Sequence, residues 1–473
     1  MTPWVSWLLC YSDSPVRKTN QLWAQGCLRN AREFVQLVLL ENRTISDLDP
    51  TVFPQMDILS ALSDDLLLRI LSFVPTKDVV ATSLLSKRWE GLWTSVSKLS
   101  YDDSDHTGDY KNFSQFVYRS LLSNNAPVLD KLHLKLGPDC PFIDVDLWTN
   151  IALTRRVREL EIDLFSKEES FNLPNSLYTS ETLEILTLIS CVLVNVPSSV
   201  CLPSLKTLKL DRVDYTDNAT LPRLLSGCPN LEVLFLERHV GDETTDSIVV
   251  APSLQRLTML DTHAGTCGRF MVDVPSLKHL EITDSVAYYD LRRMKNMPVL
   301  EKACVWITNT SSGVTQEFLK ALTSVHRLSL SLSLSKVMHP SGMTFNQLVH
   351  LDLYTLTEGW WGLLICMLLD SPKLRFLRLS NNKLTSESKE IPIGWSPPSS
   401  VPECLVYSLE AFVWIGYNGR QDSKMAIYLL KNTACLKTAT FSPDSTDLGE
   451  KYQMLKVLAS VATMSTSSQL LFD

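Results

Sequence analysis

Eight histidines, eleven cysteines and 52 acidic residues could in principle build a catalytic or metal site, but their spacing offers neither. The histidines stand alone. Only His106 has an acidic neighbour worth weighing, Asp105, and that stretch reads as a solvated acidic linker. A hydrolase centred there requires turnover by the isolated chain that disappears in His106→Ala. The chain has no G-x-S-x-G, no P-loop, no G-x-G-x-x-G following a strand and no H-E-x-x-H. Its cysteines are scattered singly without a C-x-x-C, which fits free thiols in a reducing compartment. The sequence therefore predicts no catalytic residue, no cofactor and no metal. What remains is recognition chemistry: tryptophan, phenylalanine, arginine and carboxylates set at regular places between leucines.

Those regular places belong to a repeat. A unit of the form L-x-x-L-x-L has its first apolar position at Leu129, Val157, Leu183, Leu205, Leu231, Leu254, Leu277, Leu300, Val325, Leu348 and Leu374, in steps of 22 to 28 residues. A near-constant step of this size predicts a leucine-rich-repeat solenoid, a horseshoe of short parallel strands. One unit cannot cover its own leucines; stacked neighbours can. Pro203, Pro229, Pro252, Pro275, Pro298 and Pro372 each stand two residues before a first apolar position, where no ladder donor is needed. Two copies keep a Cys or Asn in the polar slot, Cys191 and Asn382, so Cys191 is better explained by repeat packing than by nucleophilic catalysis. The residues between the leucines face the concave side: Lys209, Phe235, Glu237, Arg256, Glu281, Trp306, Arg327, Asp352, Phe376 and Arg378. Seven of them, Phe235, Arg256, Glu281, Trp306, Arg327, Asp352 and Arg378, are the candidate contacts to a target protein.

Before the repeats lies a short helical module. Ser63 is a good N-cap, Asp64 and Asp65 put negative charge in the first turn, and Leu66, Leu67, Ile70, Leu71 and Val74 recur at helical spacing. Pro75 ends that helix. Thr76 is placed to cap a second helix carrying Val79, Val80, Leu84 and Leu85, and Ser86 to open a third carrying Trp89, Leu92 and Trp93. Three helices in so few residues bury little surface, so some of their apolar side chains need a partner outside the module.

Asp57-Ile58-Leu59-Ser60, Leu62 and the run Asp64–Trp93 resemble the F-box of plant F-box proteins that carry leucine-rich repeats. The resemblance implies docking on a Skp-type adaptor and through it on a cullin, with Leu62, Leu67, Ile70, Leu71, Val74, Pro75, Leu84 and Trp89 facing the adaptor. The family usually has Leu-Pro where this chain has Leu62-Ser63. Loss of a compatible proline costs about 0.4 to 1 kcal/mol through the unfolded state, so Ser63 is expected to weaken docking severalfold at most, unless the proline ring itself makes a contact.

After Ile391 a proline-rich linker, residues 392–402, breaks the register. Trp395, Pro397, Pro398, Val401 to Leu405, Ser408 to Glu410, Phe412, Trp414, Gly416, Tyr417, Gly419, Tyr428 to Leu430, Asn432 and Cys435 to Lys437 resemble the FBD module of the same plant proteins. Cys404 belongs to that pattern. Residues 409–415 alternate like a strand and 422–431 read as a helix, predicting one more repeat strand and a helix that covers the open end.

The chain thus reads as α/β: a poorly ordered extension (1–55), a three-helix F-box (56–100), a leucine-rich-repeat solenoid (101–391) and an α+β FBD end-piece (392–473). Within the extension, Trp4 to Leu9 is too short for a signal peptide and lacks a basic flank, Phe34 to Leu40 could form an amphipathic helix, and Met56 stands where the family usually begins. Composition fits: 473 residues at 45% hydrophobic content supply two or three domains. With 44 basic and 52 acidic residues, a net charge of −8 and no basic block, no nucleic-acid partner is expected. No apolar run is long enough for a membrane span, and the longest, Trp360 to Leu369, reads as a buried helix. The resemblance implies a substrate-recognition subunit of an SCF-type ubiquitin ligase, cytoplasmic and/or nuclear. The rival is a repeat-based scaffold without ligase coupling.

Overall fold

The computed structural model describes residues 62–472 apart from 105, 107–108, 167–169, 239–245, 262–269, 285–293, 295–296, 308–315, 333–342, 355–359, 382–396, 420–421 and 462–467. The expectations for residues 1–55 lie outside the described residues. The chain divides into two compact units at Leu205/Lys206.

In the first unit, helices α1 (Asp64–Leu71), α2 (Thr76–Ala81) and α3 (Lys87–Trp93) form the N-terminal module. Ser63 caps α1 as expected, its Oγ accepting from the Leu66 N–H at 3.4 Å. Thr76 does not cap α2. Pro75 holds the N-cap position, and the buried Thr76 Oγ1 instead accepts from the Ser100 N–H at 2.8 Å. That bond joins the module to the first repeat strand. Leu84 and Leu85 fall in and just after a 3-10 turn, Thr82–Leu84, instead of extending α2.

Strands β1 (Lys98–Asp102), β2 (Lys131–Leu136), β3 (Glu159–Leu164) and β4 (Ile185–Ser190) follow, β1 to β4 pairing in parallel and in order. Parallel neighbours need a crossover. Helices α4 (Tyr110–Ser123) and α5 (Phe142–Thr154) supply two of them. The register stacks Leu99, Leu132, Leu160 and Leu186 in one buried row. The array therefore starts one unit earlier than the leucine count indicates, at Val96, with Tyr101 standing where later units carry leucine. A step of 33 residues from Val96 to Leu129 hid that unit.

The second unit continues the same construction. Its strands are β5 (Thr207–Asp211), β6 (Val233–Glu237), β7 (Arg256–Asp261), β8 (His279–Asp284), β9 (Lys302–Ile307), β10 (Arg327–Leu332), β11 (His350–Tyr354) and β12 (Phe376–Ser380). Each pairs with the next in parallel. Leu208, Leu234, Leu257, Leu280, Ala303, Leu328, Leu351 and Leu377 make one continuous buried row, each such leucine contributing roughly 1.5 to 3 kcal/mol of burial. Helices α6 (Thr220–Ser226), α7 (Gln316–Ala321) and α8 (Trp360–Asp370) lie between strands, and α8 buries Leu363, Leu364, Cys366, Met367 and Leu368.

The C-terminal module adds three parallel strands to this sheet where the sequence predicted one: β13 (Ala411–Tyr417), β14 (Thr438–Pro443) and β15 (Gln469–Phe472). Helices α9 (Glu403–Tyr407), α10 (Ser423–Asn432) and α11 (Leu448–Ala459) alternate with them. The helix predicted at 422–431 is α10, but it is followed by two more strands, so it does not close the array. An aromatic cluster replaces the leucines here. Phe412, Trp414, Tyr417 and Phe441 are buried with centroids 5.1 to 6.4 Å apart, and Trp414 meets Trp360 of α8 edge-on at 6.0 Å. Gly416 has φ +73°, and a Cβ there would meet the Asn381 carbonyl oxygen at 2.5 Å. The ladder shifts register at that point, between Ile415 and Tyr417.

Candidate functional site: a helical apolar surface and a strand face

The residues carried over as adaptor contacts separate into two groups. Leu67 (0% exposed) and Leu71 (3%) are core of the three-helix module and present nothing to a partner. Leu62, Ile70, Val74 and Trp89 are half-buried, Pro75 is exposed and Leu84 is 41% exposed. Sequence reasoning left out Leu66 (48%), Phe73 (60%) and Leu85, all exposed apolar side chains on the same module. Phe73 was missed although Leu66, Ile70 and Phe73 are spaced i, i+4, i+7; that second stripe, offset from the buried Leu67 and Leu71, is itself the signal of an outward apolar face. The Lys98 ammonium lies 5.9 Å from the Phe73 ring centroid. Arg88 fixes the entry to α1, donating from Nε to Asp64 Oδ1 at 2.9 Å and from Nη2 to the Leu62 carbonyl.

On β5 to β12 the residues between the leucines occupy three rows, set by the register. Arg256, Arg327 and Phe376 share the first row with His279, Lys302 and His350. Lys209, Phe235, Glu281, Asp352 and Arg378 share the second, and Glu237, Trp306 and Tyr354 the third. All seven target-contact candidates thus lie on the face of one sheet opposite the buried leucine row, but not in one cluster, and the half-buried Leu260 of β7 shares the third row with Trp306. Lys209 places its ammonium 4.8 Å from the Phe235 ring and 3.0 Å from Asp211. His350 stacks on Phe376 at 4.2 Å, and Trp306 meets Tyr354 at 4.5 Å across the buried Ser331.

Asp352 is the electrostatic centre of its end of the face. It contacts His350 Nε2 at 3.1 Å and Arg378 Nε at 3.8 Å, and accepts from Ser329 Oγ at 3.1 Å. Burial pushes its carboxyl up, but these partners outweigh burial and hold it below the ordinary carboxylate value. Cys304 lies on the same row and accepts from Trp306 Nε1–H at 3.1 Å; burial raises its thiol.

The reactive groups flagged in the sequence serve packing. His106 lies against Tyr110 and Phe113, with centroids at 6.4 and 5.7 Å. Cys191 receives the Ser166 N–H at 3.2 Å, the service a slot residue performs. Cys404 is fully buried, donates to the Leu368 carbonyl at 3.1 Å and is pushed up to about 12 by burial. Among the described residues no group of three or more His, Cys, Asp or Glu is placed to hold a metal ion, and no helix is long and apolar enough to cross a membrane.

Comparison with known families matches each region. An F-box domain model matches residues 59–101, a model of the leucine-rich repeats of an FBD-associated F-box protein matches 145–303, and an FBD model matches 397–441. Relatives in Arabidopsis thaliana include the F-box/FBD/LRR-repeat protein At4g26340, 64% identical over 88% of this chain and 100% of its own length. The putative F-box/FBD/LRR-repeat protein At4g26350 is 47% identical over 88% and 99%, and the F-box/FBD/LRR-repeat protein At5g56420 is 42% identical over 88% and 99%. F-box, repeat array and FBD module in this order, with relatives matched along their whole length, place the chain in the plant F-box/FBD/leucine-rich-repeat protein family.

Proposed function

We propose that this chain is a substrate-recognition subunit of an SCF-type ubiquitin ligase. Its F-box docks on a Skp-type adaptor and through it on a cullin, while the face of the repeats opposite the buried leucine row binds a target protein. The observation that carries the reading is the set of exposed apolar side chains on the helical module, Leu66, Phe73, Leu84 and Leu85, beside the half-buried Leu62, Ile70, Val74 and Trp89. A small soluble module leaves such a patch uncovered where a partner covers it. On the strand face, Phe235, Arg256, Glu281, Trp306, Arg327, Asp352 and Arg378 meet the target. The chain itself makes and breaks no bonds. It acts by proximity, raising the effective concentration of a target lysine near ubiquitin carried by other subunits, in the cytoplasm and/or nucleus.

The test is the affinity of the full chain for a Skp-type adaptor by calorimetry. Phe73→Asp puts a charge on an exposed position, so it should leave the thermal midpoint in place and weaken adaptor binding about tenfold or more. A folded chain that binds no adaptor at micromolar concentration overturns the reading and leaves a repeat-based scaffold without ligase coupling.

A further inference from the structure

The parallel register brings Arg256, His279, Lys302 and Arg327 side by side on β7, β8, β9 and β10, one from each strand. Arg256, Lys302 and Arg327 are exposed and His279 is half-buried. Other cations on the sheet are engaged: Lys131 holds Glu159 and Glu161 at 2.8 Å each, Lys209 holds Asp211 at 3.0 Å, and Arg378 lies 3.8 Å from Asp352. Among the described residues, Arg256, Lys302 and Arg327 form no ion pair. His279 registers the charges of Arg256 and Lys302. Burial first, and then the Arg256 charge, hold its imidazole below the ordinary value, with Lys302 and Lys278 acting in the same sense and Glu301 against them. Carboxylates beside this row include Glu281 on the second row of β8, Glu301 at the entry to β9 and Glu232 at the entry to β6.

We propose that this row is the docking site for an acidic segment of the target polypeptide, its carboxylates laid across β7 to β10. The inference rests on the reading of the strand face as the target-binding surface and adds the chemistry of what binds. Adjacent strands are about 4.8 Å apart, so the row spans roughly 14 Å, the reach of four or five extended residues. A polyphosphate backbone fits less well: Glu281 and Glu301 interrupt the field, and the chain as a whole carries a net charge of −8. A peptide can place its carboxylates only where the cations stand.

The experiment uses the full chain and a fluorescein-labelled, glutamate-rich peptide of about ten residues, long enough to cross the row. Its glutamine counterpart and a single-stranded RNA of equal charge serve as comparisons. Anisotropy should show binding of the glutamate peptide, weaker at high salt, and none of the glutamine peptide. Reversing the row with Arg256→Glu, Lys302→Glu and Arg327→Glu should weaken that binding about tenfold or more. The same reversal at the exposed Lys373, Lys424 and Lys431 should leave it within about twofold. Equal binding of the two peptides, equal loss in both triple variants, or RNA that binds more tightly through the same row overturns the proposal. Adaptor affinity is measured on the same preparations. Unmodified chain that binds the acidic peptide but not the adaptor counts against the ligase reading alone, and the row variant is expected to keep its adaptor affinity.

Discussion

The F-box and the strand face of β7 to β12 are both built over buried leucines, yet they offer a partner opposite chemistry. The three helices expose Leu66, Phe73, Leu84 and Leu85, whereas the strand face exposes arginine, lysine, carboxylate and aromatic groups above a fully covered row of leucines, with the half-buried Leu260 the leucine among them. The difference comes from how each region covers its apolar surface. A three-helix module has too little interior to hide every apolar side chain, so the surface it offers is hydrophobic and carried by the same short helices that fold it. A strand in a stacked array hides alternate residues against its neighbours and leaves the others free to carry any chemistry. Folding and recognition are therefore entangled in the F-box and separable in the repeats.

The largest expected effect tests that entanglement. Leu67→Ala removes a fully buried side chain of α1 and should cost about 2 to 5 kcal/mol, read as a fall in the denaturation midpoint. Leu66→Ala, one residue along and half exposed, should cost under about 1 kcal/mol in stability while weakening adaptor binding. If the two variants lose stability equally, the division of the helix into a packing side and a docking side is wrong.

That division also shows what the sequence could tell. Helical periodicity placed α1 and α3 and the Ser63 cap because those signals are local. It could not say which of Leu66, Leu67, Ile70 and Leu71 face inward, because that depends on where α3 packs against α1. In the repeats the leucines were legible from their step alone. Val96 was not, because Tyr101 and a 33-residue step disguise the first unit. The basic row was legible in principle and went unread: Arg256, His279, Lys302, Arg327 and His350 each stand two residues after a first apolar position, so reading down one column of the repeat finds them. A net acidic composition hides such a column, since it averages over residues that the register separates. Of the two extra strands of the C-terminal module, β14 escaped because Ala439 and Phe441 fill its leucine positions, and β15 because it keeps one leucine there, Leu470, followed by Phe472.

A smaller effect is expected at Ser63. Its φ of −66° already matches the value a proline ring imposes. Ser63→Pro loses the 3.4 Å cap to Leu66, worth about 0.5 to 2 kcal/mol at most sites, and gains about 0.4 to 1 kcal/mol from a stiffer unfolded chain. The two nearly cancel, so the thermal midpoint should stay within a few degrees. Adaptor affinity should rise severalfold only where the ring itself touches the adaptor. A loss of more than about 2 kcal/mol in stability means that this backbone does not accept the ring.

A modest, pH-dependent effect sharpens the contrast from the side of the strand face, where charge ought to matter and pH should reveal it. Asp352 has a folded-state carboxyl value below its ordinary one: burial opposes this, but His350, Arg378 and Ser329 prevail. A carboxyl lowered on folding stabilises the chain fully above its unfolded pKa, near 3.9, and that contribution fades as pH falls through the folded value. Asp352→Asn should therefore cost about 1 kcal/mol or less near neutrality, with the gap to the unmodified chain shrinking below about pH 4. Denaturation midpoints of both chains from pH 7 down to about pH 3 give the result. A gap that stays constant across that range means the carboxylate is held by shape and not by charge. The strand face would then resemble the F-box more closely than its residues indicate.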